Sequence, residues 1–291
     1  MATGSWQIRG EQIAAMRSNW QAVIHPDADD LERFDLFCFI KKPDFKFLEL
    51  VRRTGKPIVL DIVDGWKQPR DGFIYRNVPA ARRLFKRLWD RIQADGYIFP
   101  TETMRKDLGD LVSTSTTIYH HYYPLLRKNP VRAKVKTVGF VGKGLGAWKA
   151  RLSKACKQRG IEFIMNPKDH SELDIVVIVR GGTRGSFLAR RYKSNVKLAN
   201  AYGSGTPALV HAGEMSAHDT DNGEVLFFSD EPGSFEKQLD RLINDHALRK
   251  RISEKFLVSS RYYDIETIAD QFEAFFLRIA ELKQTIGALA Y

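Results

Sequence analysis

Two stretches in the second half of the chain combine basic residues with glycines in a way that suits the binding of an anion. The first is a turn, Gly142-Lys143-Gly144, which together with Ala147 satisfies the pattern G-x-G-x-x-A between an apolar run and an amphipathic one. In such a turn, backbone N–H groups and the start of the following helix face a pyrophosphate. The pattern therefore predicts either a phosphate-binding turn or a tight turn without a ligand.

The second stretch, residues 193–207, comes after a buried-strand pattern at 174–179 that ends in Arg180. The carboxyl end of a parallel strand is the usual ligand edge of a sheet, so Arg180 is a candidate anion contact. Lys193 and Lys197 flank the start of a predicted helix, where the helix dipole already favours an anion. The residues that could cap this helix are Ser194 and Asn195. Cations at this end of a helix destabilise it slightly. Their presence here is best explained if a bound phosphate occupies the site.

The first half of the chain supplies candidates for chemistry at a cleft. Asp64 follows an apolar run at 58–62 and could accept the proton of a hydroxyl as a general base. An aspartate before a glycine is also typical of a turn or a helix cap, and that alternative stays open. Polar residues at two further predicted strand ends are acceptor-side candidates: Thr101, Glu102, His120 and His121. The spacing of His, Cys, Asp and Glu matches no metal site, and no metal is expected.

Composition limits the class of protein. The 291 residues are 43% hydrophobic and 28% charged, with a formal net charge of +11. Such a chain can bury the cores of two domains, and its charge calls for an anionic partner. Nucleic acid is not expected, because the basic residues are spread over both halves. Cys38 and Cys156 are expected to be free thiols; with no signal-peptide or membrane-span pattern, this predicts a cytoplasmic location.

Short apolar runs alternate with amphipathic stretches, which predicts an α/β fold with largely parallel sheets. The predicted strands are residues 22–25, 36–40, 58–62, 96–99, 117–120, 137–141, 161–165, 175–179, 208–211 and 225–228. The predicted helices are residues 9–17, 45–53, 80–94, 147–159, 196–203, 234–244, 247–256 and 265–286. A break at 123–136 predicts an interdomain linker about which a cleft closes by hinge motion.

The predicted helix at 80–94 is strongly basic on one side. Leu84, Leu88 and Ile92 recur at i, i+4 and i+8 and predict its buried face. The opposite face holds five cations: Arg82, Arg83, Lys86, Arg87 and Arg91. These predict either a solvated face or a patch for anionic lipid headgroups or an acidic acceptor.

Residues 193–207 resemble the donor-binding region of GT-B glycosyltransferases, in which a Lys-rich loop precedes a helix reading roughly K-L-x-N/E-A-x-x-x-G-x-P. The turn at 142–146 takes the place of the phosphate-facing loop of their C-terminal domain. The resemblance implies two Rossmann-like parallel-sheet domains facing a cleft, with the N-terminal domain shortened at its start. We expect domains at 1–126 and 127–262, and a helix within 263–291 that packs back on the N-terminal domain.

The resemblance also implies an activity. A metal-independent, hexosyltransferase-type enzyme of polysaccharide biosynthesis would move a sugar from a nucleoside-diphosphate donor to a hydroxyl of a glycan or lipid-linked acceptor, without a further cofactor. Arg180 and Lys197 would contact the donor diphosphate, and Gly142, Lys143 and Gly144 would flank it with backbone N–H groups. Further residues implied near the donor are Lys193, Ser194, Asn195 and Asn200, with Glu214, His218 and Asp219 in a loop that often contacts the sugar.

Two alternatives and one departure accompany this interpretation. Tyr192 and Asn200 stand where a retaining branch of the class has the glutamates of its E-x7-E motif, so the resemblance does not identify the donor or the stereochemistry. An NAD(P)-dependent enzyme using the Gly142–Gly144 turn is a rival, although the predicted strand at 161–165 ends without a ribose-binding acid. A catalytically silent GT-B-like binding protein is the other. The basic surface implies peripheral contact with the inner face of a membrane.

Overall fold

The structure, a computed structural model, describes residues 4–65, 77–181 and 187–289, with side chains described to residue 285. In these ranges the chain forms two parallel sheets, of four strands in the order β1-β2-β3-β4 and of five in the order β6-β5-β7-β8-β9. The strands of the first sheet are β1 (Phe37–Ile40), β2 (Ile58–Asp61), β3 (Gly96–Phe99) and β4 (Ser115–Thr117). Those of the second are β5 (Thr137–Phe140), β6 (Glu162–Met165), β7 (Ile175–Ile178), β8 (Ala208–His211) and β9 (Leu226–Phe228).

Helices connect and cover the strands. Those before β5 are α1 (Gly4–Trp6), α2 (Gln12–Ala14), α3 (Ala28–Arg33), α4 (Phe45–Arg53), α5 (Val78–Ile92) and α6 (Glu102–Leu108). Those after it are α7 (Trp148–Lys157), α8 (Phe187–Tyr192), α9 (Val196–Ser204), α10 (Met215–Asp219), α11 (Ser234–Asn244), α12 (His246–Ser260) and α13 (Ile265–Leu289). The predicted fold class, two Rossmann-like domains of parallel sheet and helix, is confirmed.

The strand orders of the two sheets differ in a way that matters for ligand binding. The N-terminal sheet runs in sequence order with β1 at its edge, and no strand of the described chain precedes β1. In the C-terminal sheet the order reverses, because β6 lies on one side of β5 and β7 on the other. A crevice opens at the carboxyl ends of the strands where such a reversal occurs.

Helix α13 completes the core of the N-terminal sheet. Its residues Ile268, Phe272 and Ile279 are buried in one cluster with Val59 and Ile98 of β2 and β3. The helix approaches so closely that a Cβ built on Gly96, at the start of β3, would lie 2.7 Å from Ile279 Cδ1. Because real Cβ atoms do not approach this closely, a side chain at position 96 would force the Ile279 side chain to shift, and glycine leaves α13 in this place undisturbed.

The start of the chain differs from its predicted structure. Residues 22–25 form no strand; they lie in an irregular segment before α3. The predicted helix at 9–17 is present but shifted: α1, a π-helical turn at Gln7–Glu11 and α2 follow one another without a break and end at Ala14. Arg9 sits in this turn and donates to both Asp61 carboxylate oxygens and to the Tyr119 carbonyl. A buried ion pair therefore fixes the turn in place of ordinary helical periodicity.

The buried face of α5 was predicted correctly only at Ile92. Ala81, Phe85, Trp89 and Ile92 are buried, whereas Leu84 and Leu88 pack only partly against the core. The aromatic row adjacent to the leucines buries more apolar area, and it packs edge-on against β3, with the Trp89 and Phe99 rings 5.7 Å apart. Of the helices the structure describes, none is long and apolar enough to cross a membrane.

Candidate functional site

The reversal of strand order in the C-terminal sheet brings the two basic and glycine-rich stretches together. The turn at Gly142 follows β5, and Arg180 and Gly181 follow β7. The Gly181 N–H donates to the Gly144 carbonyl at 3.0 Å, which ties the two loops directly. The sequence thus folds so that the two predicted anion-binding segments line one crevice.

The glycine turn requires its glycines. Gly142 has a φ of 123° and Gly144 a φ of 90°, conformations that residues with a Cβ rarely adopt. The Gly142 N–H donates to Asn166 Oδ1 at 2.6 Å, so this amide is already bonded to the end of β6. The Lys143 side chain is exposed on the outside of the turn.

Helix α9 points its first turn at the same place. A Cβ on Gly142 would lie 3.4 Å from Lys197 Cε and Nζ, and Nζ lies 4.0 Å from the centre of the Phe140 ring. The ammonium group of Lys197 therefore reaches back across the end of β5 to the glycine turn. This places a cation, a helix N-terminus and a glycine turn in contact.

The expected side-chain cap of α9 is absent. Asn195 is the N-cap residue but makes no capping bond; its Oδ1 accepts the His120 backbone N–H at 2.9 Å. Its Nδ2 is buried and has no partner among the described residues. Ser194 is buried beside it and accepts a long, 3.5 Å bond from the Ser216 hydroxyl at its carbonyl. A contact between the domains has displaced the predicted cap.

Arg180 is held by a residue of the loop after β8. Its Nε donates to Glu214 Oε2 at 2.7 Å, and the Glu214 side chain is buried. The other Glu214 oxygen is buried with no hydrogen-bond partner in the described chain. The ion pair orients Arg180 at the mouth of the crevice. It joins two predicted site residues: Arg180, which follows a strand, and Glu214, which lies in the loop after β8.

Asp64 lies between two lysines, one from each domain. Its Oδ1 is 3.1 Å from Lys41 Nζ, and its Oδ2 accepts a hydrogen bond from Lys193 Nζ. Burial lowers the pKa of Lys193, Asp64 opposes this shift, and the charges of Lys41 and Arg180 add to it. Lys41 was not among the predicted site residues. It directly follows the apolar run at 36–40, so the strand-end rule that found Arg180 could also have found it.

The acceptor-side candidates are mostly held in structural bonds. Thr101 is fully buried and caps α6 by accepting the Met104 N–H at 3.1 Å. Glu102 pairs with Arg105 and accepts from the Thr117 hydroxyl, and these contacts lower its pKa. Both residues therefore fasten α6 in place at the edge of the first sheet.

The two histidines are buried and neutral. Burial lowers the pKa of His120 well below its usual value, and the nearby Arg9 charge adds to this. Burial likewise lowers the pKa of His121 to about 4, and its Nε2 shares a 2.9 Å hydrogen bond with Gln12. The Nδ1 atoms of both rings have no partner among the described residues.

Asn200 and the segment before α9 join the two domains. The Asn200 Oδ1 accepts the Tyr123 backbone N–H at 2.9 Å, so one of its acceptor positions is already used between the domains. Tyr192 is fully buried in the core of the N-terminal domain, and its hydroxyl donates to Asp107 at 2.8 Å. The residues at the two E-x7-E positions thus serve the domain interface.

No set of three or more His, Cys, Asp or Glu side chains within the described ranges is grouped as metal ligands would be. No protein-family model matches the chain, and no curated protein matches it.

Solved structures do match. The chain is similar to TarM, with a TM-score of 0.60 at 13% identity over 83% of this chain and 54% of TarM. It is similar to the UDP-forming α,α-trehalose-phosphate synthase of Burkholderia vietnamiensis, with a TM-score of 0.58 at 12% identity over 84% of this chain and 74% of that one. It is also similar to WaaG, a glycosyltransferase involved in lipopolysaccharide biosynthesis, with a TM-score of 0.53 at 11% identity over 78% and 80% of the two chains.

The chain thus spans about half the length of TarM and about three quarters of the synthase. At these identities the likeness shows the fold, which is that of the GT-B glycosyltransferases.

Proposed function

We propose that the chain is a glycosyltransferase that binds a nucleoside-diphosphate sugar in the crevice of its C-terminal sheet. The observation that carries the proposal is the meeting of three elements at the reversal of strand order: the Gly142 turn, Arg180 and Lys197 at the start of α9. Each is suited to an anion, and two cations beside a helix N-terminus suit the charge of a diphosphate.

The chemistry follows from charge. As the bond between the sugar and the diphosphate breaks, negative charge grows on the leaving diphosphate. Arg180, Lys197 and the N-terminus of α9 would stabilise that charge, and none has to move far, because Glu214 and Phe140 already hold the two cations. This arrangement needs no metal. The acceptor hydroxyl would approach from the N-terminal sheet.

We assign Asp64 to positioning and no longer to proton transfer. A general base must turn an oxygen toward the acceptor hydroxyl, whereas the two Asp64 oxygens face the ammonium groups of Lys41 and Lys193. Asp64 instead holds Lys41 and Lys193 at the cleft. The other donor contacts in the proposal are the backbone of Lys143 and the Asn195 amide, whose Nδ2 lacks a partner in the described chain.

The rival NAD(P) function is less well supported. Strand β6 ends in Met165 and is followed by Asn166, so it offers no acidic residue for the ribose. The Gly142 N–H is bonded to Asn166 and is therefore occupied for either candidate. A catalytically silent binding protein remains the second candidate. It is favoured because Tyr192 and Asn200, and not glutamates, stand at the two E-x7-E positions.

The acceptor is proposed to be a glycan or a lipid-linked intermediate of polysaccharide biosynthesis, at the inner face of a membrane. Arg83 and Arg87 are exposed on α5, whereas Lys86 pairs with Asp90 and Arg82 with Asp110. The exposed pair supports contact with anionic headgroups.

Calorimetric titration with UDP, GDP, ADP and NADH tests the proposal. Binding of one nucleoside diphosphate with no response to NADH is expected. Tight binding of NADH alone would contradict it. Hydrolysis or transfer of a nucleotide sugar then separates an enzyme from a silent binding protein, which would bind the nucleotide and turn over nothing.

A further inference from the structure

Strands β1 and β2 end in the same unusual backbone shape. Lys41 has a φ of 69°, and the N–H of the residue after it donates to the carbonyl of the residue before it at 2.8 Å. Val63 has a φ of 64°, with the same bond across it at 2.7 Å. Each is a γ-turn with a positive central φ, a rare and strained shape that is especially unfavourable for a β-branched residue.

The two turns lie side by side. In the parallel register Ile40 is opposite Asp61, so both strands reach the same edge of the sheet before they turn. The first turn presents Lys41 and the second presents Asp64, and the two side chains meet at 3.1 Å. Strained residues gather at functional sites because the surrounding structure must hold them there.

Lys41, Asp64 and Lys193 form a cluster whose members differ in exposure to solvent. The Asp64 side chain is 9% exposed, whereas those of Lys41 and Lys193 are 33% and 30% exposed. The carboxylate therefore lies beneath two ammonium groups that reach toward solvent in the cleft. Two cations over one anion leave one positive charge in excess.

Besides Asp64, the described residues whose charges act most on Lys193 are Lys41 and Arg180, and both are positive. Arg180 lies close enough to lower the pKa of Lys193, but it is already paired with Glu214. His120 lies nearby as well and is neutral. The cluster thus stays positive beside the crevice proposed for the donor, on the side of the N-terminal domain.

We propose that Lys41 and Lys193, held by Asp64, bind a phosphate group of the acceptor. The inference rests on the proposed function, in which the donor diphosphate uses Arg180 and Lys197. A phosphate monoester carries up to two charges and several acceptor oxygens, so it can bridge two ammonium groups. The substrate class is then a phosphorylated acceptor, as a soluble sugar phosphate or a lipid-linked phosphate.

Calorimetry with inorganic phosphate, on the full chain with and without saturating UDP, tests this. We expect phosphate to bind in both cases. Lys41→Gly should lower phosphate affinity at least tenfold and leave UDP affinity within twofold. Glycine relieves the positive φ at this position, so the thermal midpoint of the variant should not fall. Lys42→Gly is the matched control, because Lys42 is exposed on the same turn, and its phosphate affinity should stay within twofold.

Two further arms distinguish the sources of the phosphate: mannose 6-phosphate in solution, and phosphatidylcholine vesicles that carry a polyprenyl phosphate. If Lys41→Gly loses binding to mannose 6-phosphate or to the vesicles, the proposal is supported, and the probe that is lost identifies the phosphate as soluble or lipid-linked. Phosphate binding that is absent, unchanged in Lys41→Gly or abolished by UDP overturns it. Failure of UDP, GDP and ADP to bind would contradict the proposed function instead, and the titration without nucleotide would still test the lysines.

Discussion

Arg9 Nε donates to Asp61 Oδ2 at 2.7 Å, and both side chains are completely buried beneath the N-terminal sheet. The pair joins the π-helical turn near the start of the chain to β2, and Arg9 also lies over the Phe272 ring of α13, with 4.6 Å from Cζ to the ring centre. One guanidinium thus holds three segments that are far apart in sequence.

Arg9→Met should destabilise the protein strongly. Removing one partner leaves a buried and uncompensated carboxylate, at a cost of about 3–5 kcal/mol. Urea unfolding should show this as a lower midpoint, and the double variant Arg9→Met with Asp61→Leu should recover part of the loss. Lys86→Met removes an exposed ion pair and should barely move the midpoint. If Arg9→Met and Lys86→Met lowered the midpoint equally, the buried ion pair would stabilise the fold no more than an exposed one.

Arg249 should be as important to the C-terminal domain. It is 1% exposed and donates to four backbone carbonyls, those of Leu242, Ile243, Arg132 and Ala133. Arg249→Met leaves these carbonyls without a hydrogen-bond donor. We expect the free energy of unfolding, measured thermally or chemically, to fall by about 3–5 kcal/mol. Arg251→Met, two residues away on the exposed side of the same helix, is the control and should be close to neutral.

The diphosphate contacts can be tested one at a time. Lys197→Ala and Arg180→Ala should each weaken binding of the preferred nucleoside diphosphate by about 1.5–3 kcal/mol, the scale of a charge-assisted hydrogen bond. Lys143→Ala is the control, since its exposed side chain has no place in the proposed site. Calorimetry provides the measurement, and unchanged affinity in both of the first two variants would refute the site.

Asp64→Asn separates positioning from proton transfer. A positioning role predicts a loss of catalytic efficiency with an unchanged pH–rate profile, because the variant loosens Lys41 and Lys193 without removing a base. A general base would instead cost about 10²–10⁴-fold and would abolish the acid limb of the profile. Transfer rates measured between pH 5 and 9 decide between the two.

His121 should make stability depend on pH. Its folded pKa is about 4, below the unfolded value near 6.5, so the unfolded chain takes up protons first as the pH falls. Stability is therefore greatest above pH 6.5 and is lost between about pH 6.5 and 4, by roughly 2–3 kcal/mol for this group. Unfolding curves of His121→Gln should lose that part of the slope; an unaltered slope would show that His121 is charged in the fold.

Much of the fold could be predicted from local pattern. Residues 234–244, 45–53 and 96–99 were predicted to the residue, as α11, α4 and β3. Amphipathic or apolar patterns define these elements, and Asp44 also caps α4; none of these signals depends on distant contacts.

The predictions that failed depend on contacts between residues that are far apart in the sequence, and hydrophobic periodicity carries no information about such contacts. The cap of α9 was lost because Asn195 bonds to His120, 75 residues away in the chain. The face of α5 was misjudged at Leu84 and Leu88 because Phe85, in the neighbouring row, packs against Tyr192 from the later half of the chain, with ring centres 6.4 Å apart. Lys41 was overlooked although the strand-end rule applies to it, and its contact with Asp64 forms only through tertiary folding. The strand-end rule still found Arg180 and Asp64, since it depends on topology and not on pairing.

The crossing of α13 over Gly96 has a consequence for the order of folding during synthesis. The N-terminal core lacks Ile268, Phe272 and Ile279 until α13 has left the ribosome. At usual elongation rates the whole C-terminal domain emerges first, over roughly ten to thirty seconds. The first half of the chain then waits with Val59 and Ile98 uncovered, so the half made first is the half finished last.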